Sequence, residues 1–357
     1  MLTGSSTLYD IHKTFEENFR NPPFSLINPP VRQWPPKAQW IRFLGLSLAS
    51  NIGAAACAVT TGKGIALLAQ LGFDVLTYKT IRRHFYPSHP LPNIVYVDCE
   101  LPLAESDIAK PIYTRKQAAS ADKMAISNSF GNACLAPEIL IQDIAFAKSA
   151  LSEGQLLIVS VYGEGETLAA IATEFAETAL FAKQAGADII ELNLSCPNLL
   201  KKGEPIYWDA EAVYKITTRV LHSVGEVPVV IKLGFLPSID SLSKILEVIA
   251  RAGASGVSAI NSISMRVIDR AQQPAFGKRI FSGVSGYPIR LLALQYIKKI
   301  AQINQKQKLD LAILGMGGIT LPEHFNEFSN AGSDIVLSAT GMMWNPYLAF
   351  QYHQKIQ

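Results

Sequence analysis

Residues 191–200 read ELNLSCPNLL, so Asn193, Ser195, Cys196 and Asn198 follow directly on an apolar run that starts after Asp188. Buried amides and hydroxyls without partners are costly. A strand ending this way either leaves the core at that point or presents its polar groups to something the chain does not supply. Further asparagines recur in similar settings: Asn128 within SNSFGN, and Asn261 directly before Ser262. Each amide offers both N–H donors and an acceptor. Several of them at one mouth suit a planar ligand with alternating carbonyl and N–H groups, such as a pyrimidine, whereas any one alone could simply cap a loop. Lys232 sits inside VVIKLG, where an unpaired ammonium is expensive; it is either salt-bridged or a fixed cation for an anionic group. Lys79, near the end of VLTYKT, poses the same question. Finally, GMGG (315–318) and SATG (338–341) are glycine-bearing ends where backbone amides can approach a phosphate closely.

These residues must be positioned by a repeated unit. Apolar runs are preceded by helix-ending glycines: LGFD before VLTYKT, AGAD before IIELNLS, AGAS before GVSAINS, and AGSD before IVLSAT. Glycine closes a helix because it accepts the left-handed conformation there, and strands apolar throughout are those covered on both faces. With FLGLSLAS, LLIVSVYG, PVVIKLG and LAILGMGG, eight runs result, separated by stretches long enough for helices. The expectation is an α/β fold, a closed (β/α)8 TIM barrel, rather than a doubly wound open sheet. Almost every run ends in polar or glycine residues, and a barrel gathers those ends around one mouth. KMAISNSFG would be a ninth run and is placed in an insertion between the second strand and its helix. Residues 1–40 stand apart as an arm: NPPFSLINPPVRQWPP is too proline-rich for a helix or inner strand, and Ile11, Phe15 and Phe19 form one apolar stripe before it. The domain reading is an arm over 1–40, packed against a barrel over 41–357.

The composition is that of a compact globular chain: 49% hydrophobic and 17% charged over 357 residues. The net charge of +3 contains no basic tract, so nothing asks for nucleic acid or an acidic membrane. Cys57, Cys99, Cys134 and Cys196 form no CxxC pair, which argues against a metal site or disulfide framework and for reduced cytoplasmic thiols. The N-terminus lacks the pattern of a signal peptide. The uncharged, mostly apolar stretch over residues 43–59 is broken by Gly45, Ser47, Ser50, Asn51 and Gly53 and falls short of the ~20 apolar residues of a membrane span.

Taken together and in order, ELNLSCPN, NSFGN, VIKLG, INS, FSGVSG, GMGGI and SATG resemble dihydroorotate dehydrogenases over about residues 43–350. The resemblance implies an FMN-dependent oxidation of dihydroorotate to orotate in pyrimidine biosynthesis, with hydride passing to flavin. It makes Cys196 the base, in the position where the class 1 enzymes carry cysteine. It assigns the substrate to Lys79, Asn128, Asn193, Asn198, Asn261 and Ser262. The flavin falls to Ala49, Ser50, Lys79, Thr80, Asn193, Lys232, Ile260 and Gly286, and its phosphate to Gly317, Gly318, Ala339 and Thr340. Class 1 relatives are often homodimers. Residues 199–205, LLKKGEP, occupy the place of a substrate lid. The rival readings are an FMN barrel acting on another dihydropyrimidine and a flavin-binding homologue without catalysis. No second nucleotide-binding motif or iron–sulfur cysteine set is present, so direct use of NAD by this chain alone is not expected; fumarate, a quinone, oxygen or a separate subunit would accept the electrons.

Overall fold

The computed structural model describes residues 2–4, 7–26, 30–99, 101–195 and 205–356. Eight parallel strands close a barrel: β1 (Ile52–Ala54), β2 (Val75–Ile81), β3 (Leu156–Val161), β4 (Ile189–Asn193), β5 (Val229–Lys232), β6 (Gly256–Ala259), β7 (Ala312–Met316) and β8 (Ile335–Ser338). Neighbours in sequence are neighbours in space, and β8 pairs back onto β1 through Leu337 and Gly53. Helices such as Leu168–Gln184 and Ala210–Val224 follow the strands and cover the barrel from outside. The (β/α)8 expectation holds. Strands β2 to β6 and β8 are buried along their whole length, as strands covered on both faces are, with polar residues mostly toward their C-terminal ends. Among the described residues, no helix is long and apolar enough to cross a membrane.

The first strand is a correction. FLGLSLAS is not a barrel strand but a hairpin, Ile41–Phe43 paired antiparallel with Leu46–Leu48. Leu44 (φ 47°) and Gly45 (φ 84°) form its two-residue turn, the conformation that suits a tight hairpin. Phe43 and Leu48 are buried and pack with Val75, Leu156, Ile189 and Val230, so the hairpin plugs the N-terminal end of the barrel. The true first strand is the short IGA at 52–54. There Gly53 lies so close to its neighbours that an added Cβ would fall 2.3 Å from the Val75 carbonyl oxygen and 2.4 Å from the Leu337 side chain. Small residues pressed between two strands carry little hydrophobic signal, which is why the stronger run upstream outcompeted them.

Two excursions build a second layer over the barrel mouth. The stretch between β2 and its helix (Pro137–Ser149) carries strands Ile94–Val97, Ile112–Arg115 and Ala125–Asn128, as expected for KMAISNSFG. A second excursion after β6 adds strands Ile263–Ile268 and Phe281–Gly286, and the five strands close into one small sheet. This second excursion was not anticipated, because FSGVSG was legible as a motif but not as a strand.

The arm runs across the barrel from mouth to base. Leu8, Tyr9 and Phe15 are buried in the main core. The arm helix, Phe15–Arg20, starts with a capping box in which Thr14 and Glu17 satisfy each other's backbone amides. Further along, Arg32 reaches the base and pairs with buried Asp74, its second nitrogen 2.7 Å from Oδ2.

Candidate active site

The polar ends of the strands meet at the C-terminal mouth. Strand register places Ser160 beside Glu191, Asn193 beside Lys232, and Lys232 beside Ser258. These positions continue the inward row that holds Ile158, Ile189 and Val230 deeper in the barrel, and they alternate with Val159, Ile190, Leu192 and Ile231 on the outer face. The pairing of β2 with β3 slips between Val159 and Val161, a β-bulge around Lys79 and Thr80. Bulges re-aim side chains, and here adjacent residues serve different layers. Thr80 shares a hydrogen bond with Ser160 at 3.0 Å and accepts one from Asn193 Nδ2 at 3.0 Å. Lys79 instead donates to the carbonyls of Thr80 (3.3 Å) and Ala133.

A continuous chain of hydrogen bonds crosses the mouth. From Thr80 it passes to Asn193, whose Oδ1 accepts from Ser195 Oγ at 2.5 Å. Ser195 Oγ in turn accepts from Asn261 Nδ2, and Asn261 Oδ1 accepts from the Ser262 amide at 2.8 Å. Asn128 joins from the upper sheet: its Nδ2 donates to Gly283 O at 3.4 Å. An added Cβ on Gly283 would fall 2.2 Å from Ser262 Oγ, so Asn128 and Ser262 flank the same glycine. The loop carrying Asn128 is tied down by Arg82, which donates to the carbonyls of Gly131 (3.1 Å) and Asn132 (3.0 Å).

Lys232 is both paired and poised. It is buried, with its ammonium 3.4 Å from Glu191 Oε1, and Glu191 Oε2 accepts from Ser258 Oγ at 2.8 Å. Among the described residues Glu191 Oε1 finds no hydrogen-bond donor despite full burial, so the ion contact leaves the ammonium with donors to spare at the mouth. Cys57, in the loop after β1, lies close enough to Lys232 for charge to matter, and burial pushes its thiol up to about 11.

The remaining predicted positions form a second group. Gly317 (φ 127°) and Gly318 (φ 76°) turn the chain after β7, and Gly286 (φ 86°) ends the upper sheet. A Cβ added to Gly318 would lie 2.7 Å from Gly286 O, one on Gly286 3.0 Å from Thr340 Cγ2, and one on Gly317 3.5 Å from Ile260 Cγ1. Ile260, Gly286, Gly317, Gly318 and Thr340 thus converge, with Ala339 immediately before the helix that Thr340 opens. First-turn helix amides lack intrahelical acceptors, so this cradle offers donors to an anion.

Ala49 and Ser50 do not belong here, and this assignment is corrected. Ser50 Oγ donates to Asp74 at 2.5 Å and the Ala49 amide to Gly154 O at 2.9 Å. Asp74 and Gly154 precede β2 and β3, so both residues stand at the opposite, N-terminal end of the barrel. The error follows from the misplaced first strand. The residues that β1 delivers to the mouth are Ala54 and Ala55, the latter donating its amide to Ser338 O at 2.9 Å. Glu191, Ser160, Ser195, Ser258 and Gly283 were likewise missed as site residues, although ELNLS and FSGVSG contain three of them. Cys196, Asn198 and residues 199–204 of the expected lid lie outside the described residues.

The sequence profile described as dihydroorotate dehydrogenase matches residues 120–357. The chain is 37% identical to a dihydroorotate dehydrogenase of Dictyostelium discoideum over 97% of its own length and 96% of the relative's. It is also 32% identical to a dihydroorotate dehydrogenase B (NAD(+)) catalytic subunit of Shouchella clausii, over 46% of this chain and 52% of that one. A dihydroorotate dehydrogenase A (fumarate) of Limosilactobacillus reuteri matches at 30% over the same shares. The fold is a (β/α)8 barrel, and the family match and the full-length relative make it an enzyme of the oxidoreductase class. The chain belongs to the dihydroorotate dehydrogenase family.

Proposed function

We propose that the protein oxidises dihydroorotate to orotate in pyrimidine biosynthesis, with FMN held across the barrel mouth. The observation that carries this reading is the hydrogen-bonded chain Thr80–Asn193–Ser195–Asn261–Ser262 beside the buried cation Lys232. A row of amides and hydroxyls next to a fixed positive charge matches a planar polar ligand lying against a second ring. The residues also fit the cofactor. Glycines at 286, 317 and 318 take positive φ and let their chain segments approach closer than any Cβ would allow, and the adjoining amides suit a phosphate. FMN supplies the acceptor for an electron pair.

The chain's own groups do the rest. Cys196, as thiolate, takes the proton alpha to the substrate carbonyl. Asn128, Asn193, Asn198, Asn261 and Ser262 read the pyrimidine edges and hold its carbon at near-attack distance, while Lys79 meets its carboxylate. Lys232 holds positive charge where the acceptor gains negative charge, a preorganised electrostatic contribution that costs no reorganisation.

Two measurements check this arrangement. The purified protein should carry FMN in a one-to-one ratio, and orotate should perturb the flavin absorption. A protein that binds FMN but shows no response to orotate would refute the substrate assignment. Asn193→Ala and Asn261→Ala should each weaken orotate binding about tenfold or more with flavin retained, since each leaves ligand groups unpaired at about 1–3 kcal/mol. Unchanged affinity in both would remove the asparagines from the site.

A further inference from the structure

We propose that the N-terminal arm is a working part of the active site, with Phe15 and Glu16 acting as positioning residues for Lys79. The proposal rests on the reading that Lys79 meets the substrate carboxylate. The Phe15 ring is buried and lies beneath the Lys79 ammonium, 4.6 Å from ring centroid to Nζ. The same ammonium donates to the carbonyls of Ala133 and Thr80. Glu16, the next residue, anchors the arm helix to the upper layer: its carboxylate accepts from the Ser88 amide at 2.7 Å and from Ser88 Oγ at 2.6 Å. Tyr9 packs edge-on against Phe130 at 5.8 Å, in the loop that follows Asn128. The arm therefore touches the barrel residue and the upper-layer loop that face one ligand.

The chemistry of this contact is legible in the charge on Lys79. An aromatic face attracts a cation, but a ring and two carbonyls replace water poorly. Burial accordingly pulls the Lys79 ammonium down to about 8, and the titratable groups around it are Cys134, Arg82, Glu16 and Cys57. Glu16 favours the ammonium and Arg82 opposes it. Burial pushes the thiols of Cys134 and Cys57 upward, so neither gains charge before Lys79 loses its own. The sign follows: Lys79 is charged below about 8 and loses its charge as pH rises through that value. A carboxylate ligand then binds less well.

The test is orotate affinity of the full-length FMN-loaded protein from neutral to alkaline pH, in a Cys196→Ala background that removes the one active-site thiol expected to titrate nearby. The parent should lose affinity as pH rises through about 8. Phe15→Ala admits water and should move that midpoint up, toward the ordinary lysine range. Glu16→Gln removes a charge that favours the ammonium and should move it down. Opposite shifts from two adjacent arm residues are not the outcome of general loosening, which would lower affinity at every pH alike. Glu16→Gln carries the test alone if Phe15→Ala fails to fold. Midpoints that stay at the parent value in the variants would show the arm to be a structural cover only, and overturn the proposal. Absence of orotate binding by the parent at any pH would overturn the substrate reading and this proposal with it.

Discussion

Cys196→Ala yields a yellow protein that still binds orotate but is reduced by dihydroorotate at least ~100-fold more slowly, the contribution of a positioned general base. The thiol at 196 is the one proton acceptor that the family resemblance places against the substrate carbon. An alanine there leaves the asparagines and the cation in place, so binding and chemistry separate. The pH dependence adds a second signature. A free thiol has a pKa of roughly 8.5, and only its thiolate accepts the proton. Flavin reduction at saturating dihydroorotate should therefore rise toward alkaline pH in the parent and lose that rise in Cys196→Ala. Near-normal reduction in Cys196→Ala, followed by anaerobic stopped-flow absorbance, contradicts the role.

Lys232→Met carries the second large effect, because it acts on the fold and the cofactor together. It leaves the Glu191 carboxylate fully buried with Ser258 as its one donor among the described residues. Breaking a buried ion pair from one side costs on the order of 3–5 kcal/mol. The same change removes the positive charge that the proposed function sets beside the flavin, so FMN should be lost on purification or its reduction potential should fall. The double variant Lys232→Met with Glu191→Gln separates the two consequences. With no stranded charge, it should recover most of the stability seen in denaturant unfolding, yet not the flavin affinity. If Lys232→Met keeps both stability and flavin, Lys232 has neither role.

The legibility of this protein differed between its layers for physical reasons. Seven of the barrel strands were readable because parallel strands covered on both faces are largely apolar, and helix-closing glycines mark where β2, β4, β6 and β8 begin. Thr80, Asn193, Lys232 and Asn261 were readable for the converse reason: polar groups at the ends of such strands need a partner. The first strand was not. Ile52–Ala54 is held by close backbone approach at Gly53 rather than by side-chain bulk, while Phe43 and Leu48 upstream are buried as a plug. That single shift moved Ala49 and Ser50 from base to mouth. Glu191 was missed because a carboxylate between apolar strand residues has meaning only through its neighbours Lys232 and Ser258, which lie 41 and 67 residues away in sequence. The arm's contact with Lys79 is of the same kind, since Phe15 read alone is one more apolar position on a short helix.

The measurement that bears most directly on the whole account is anaerobic mixing of the FMN-loaded protein with dihydroorotate and, separately, with dihydrouracil, while the flavin absorption is followed. The account predicts rapid bleaching by dihydroorotate and none by dihydrouracil, because Lys79 and the asparagine row meet a ring that carries a carboxylate. Equal bleaching by both, or bleaching by dihydrouracil alone, would make this a barrel for another dihydropyrimidine. A yellow protein left unbleached by either would mark it as a flavin carrier without this catalysis.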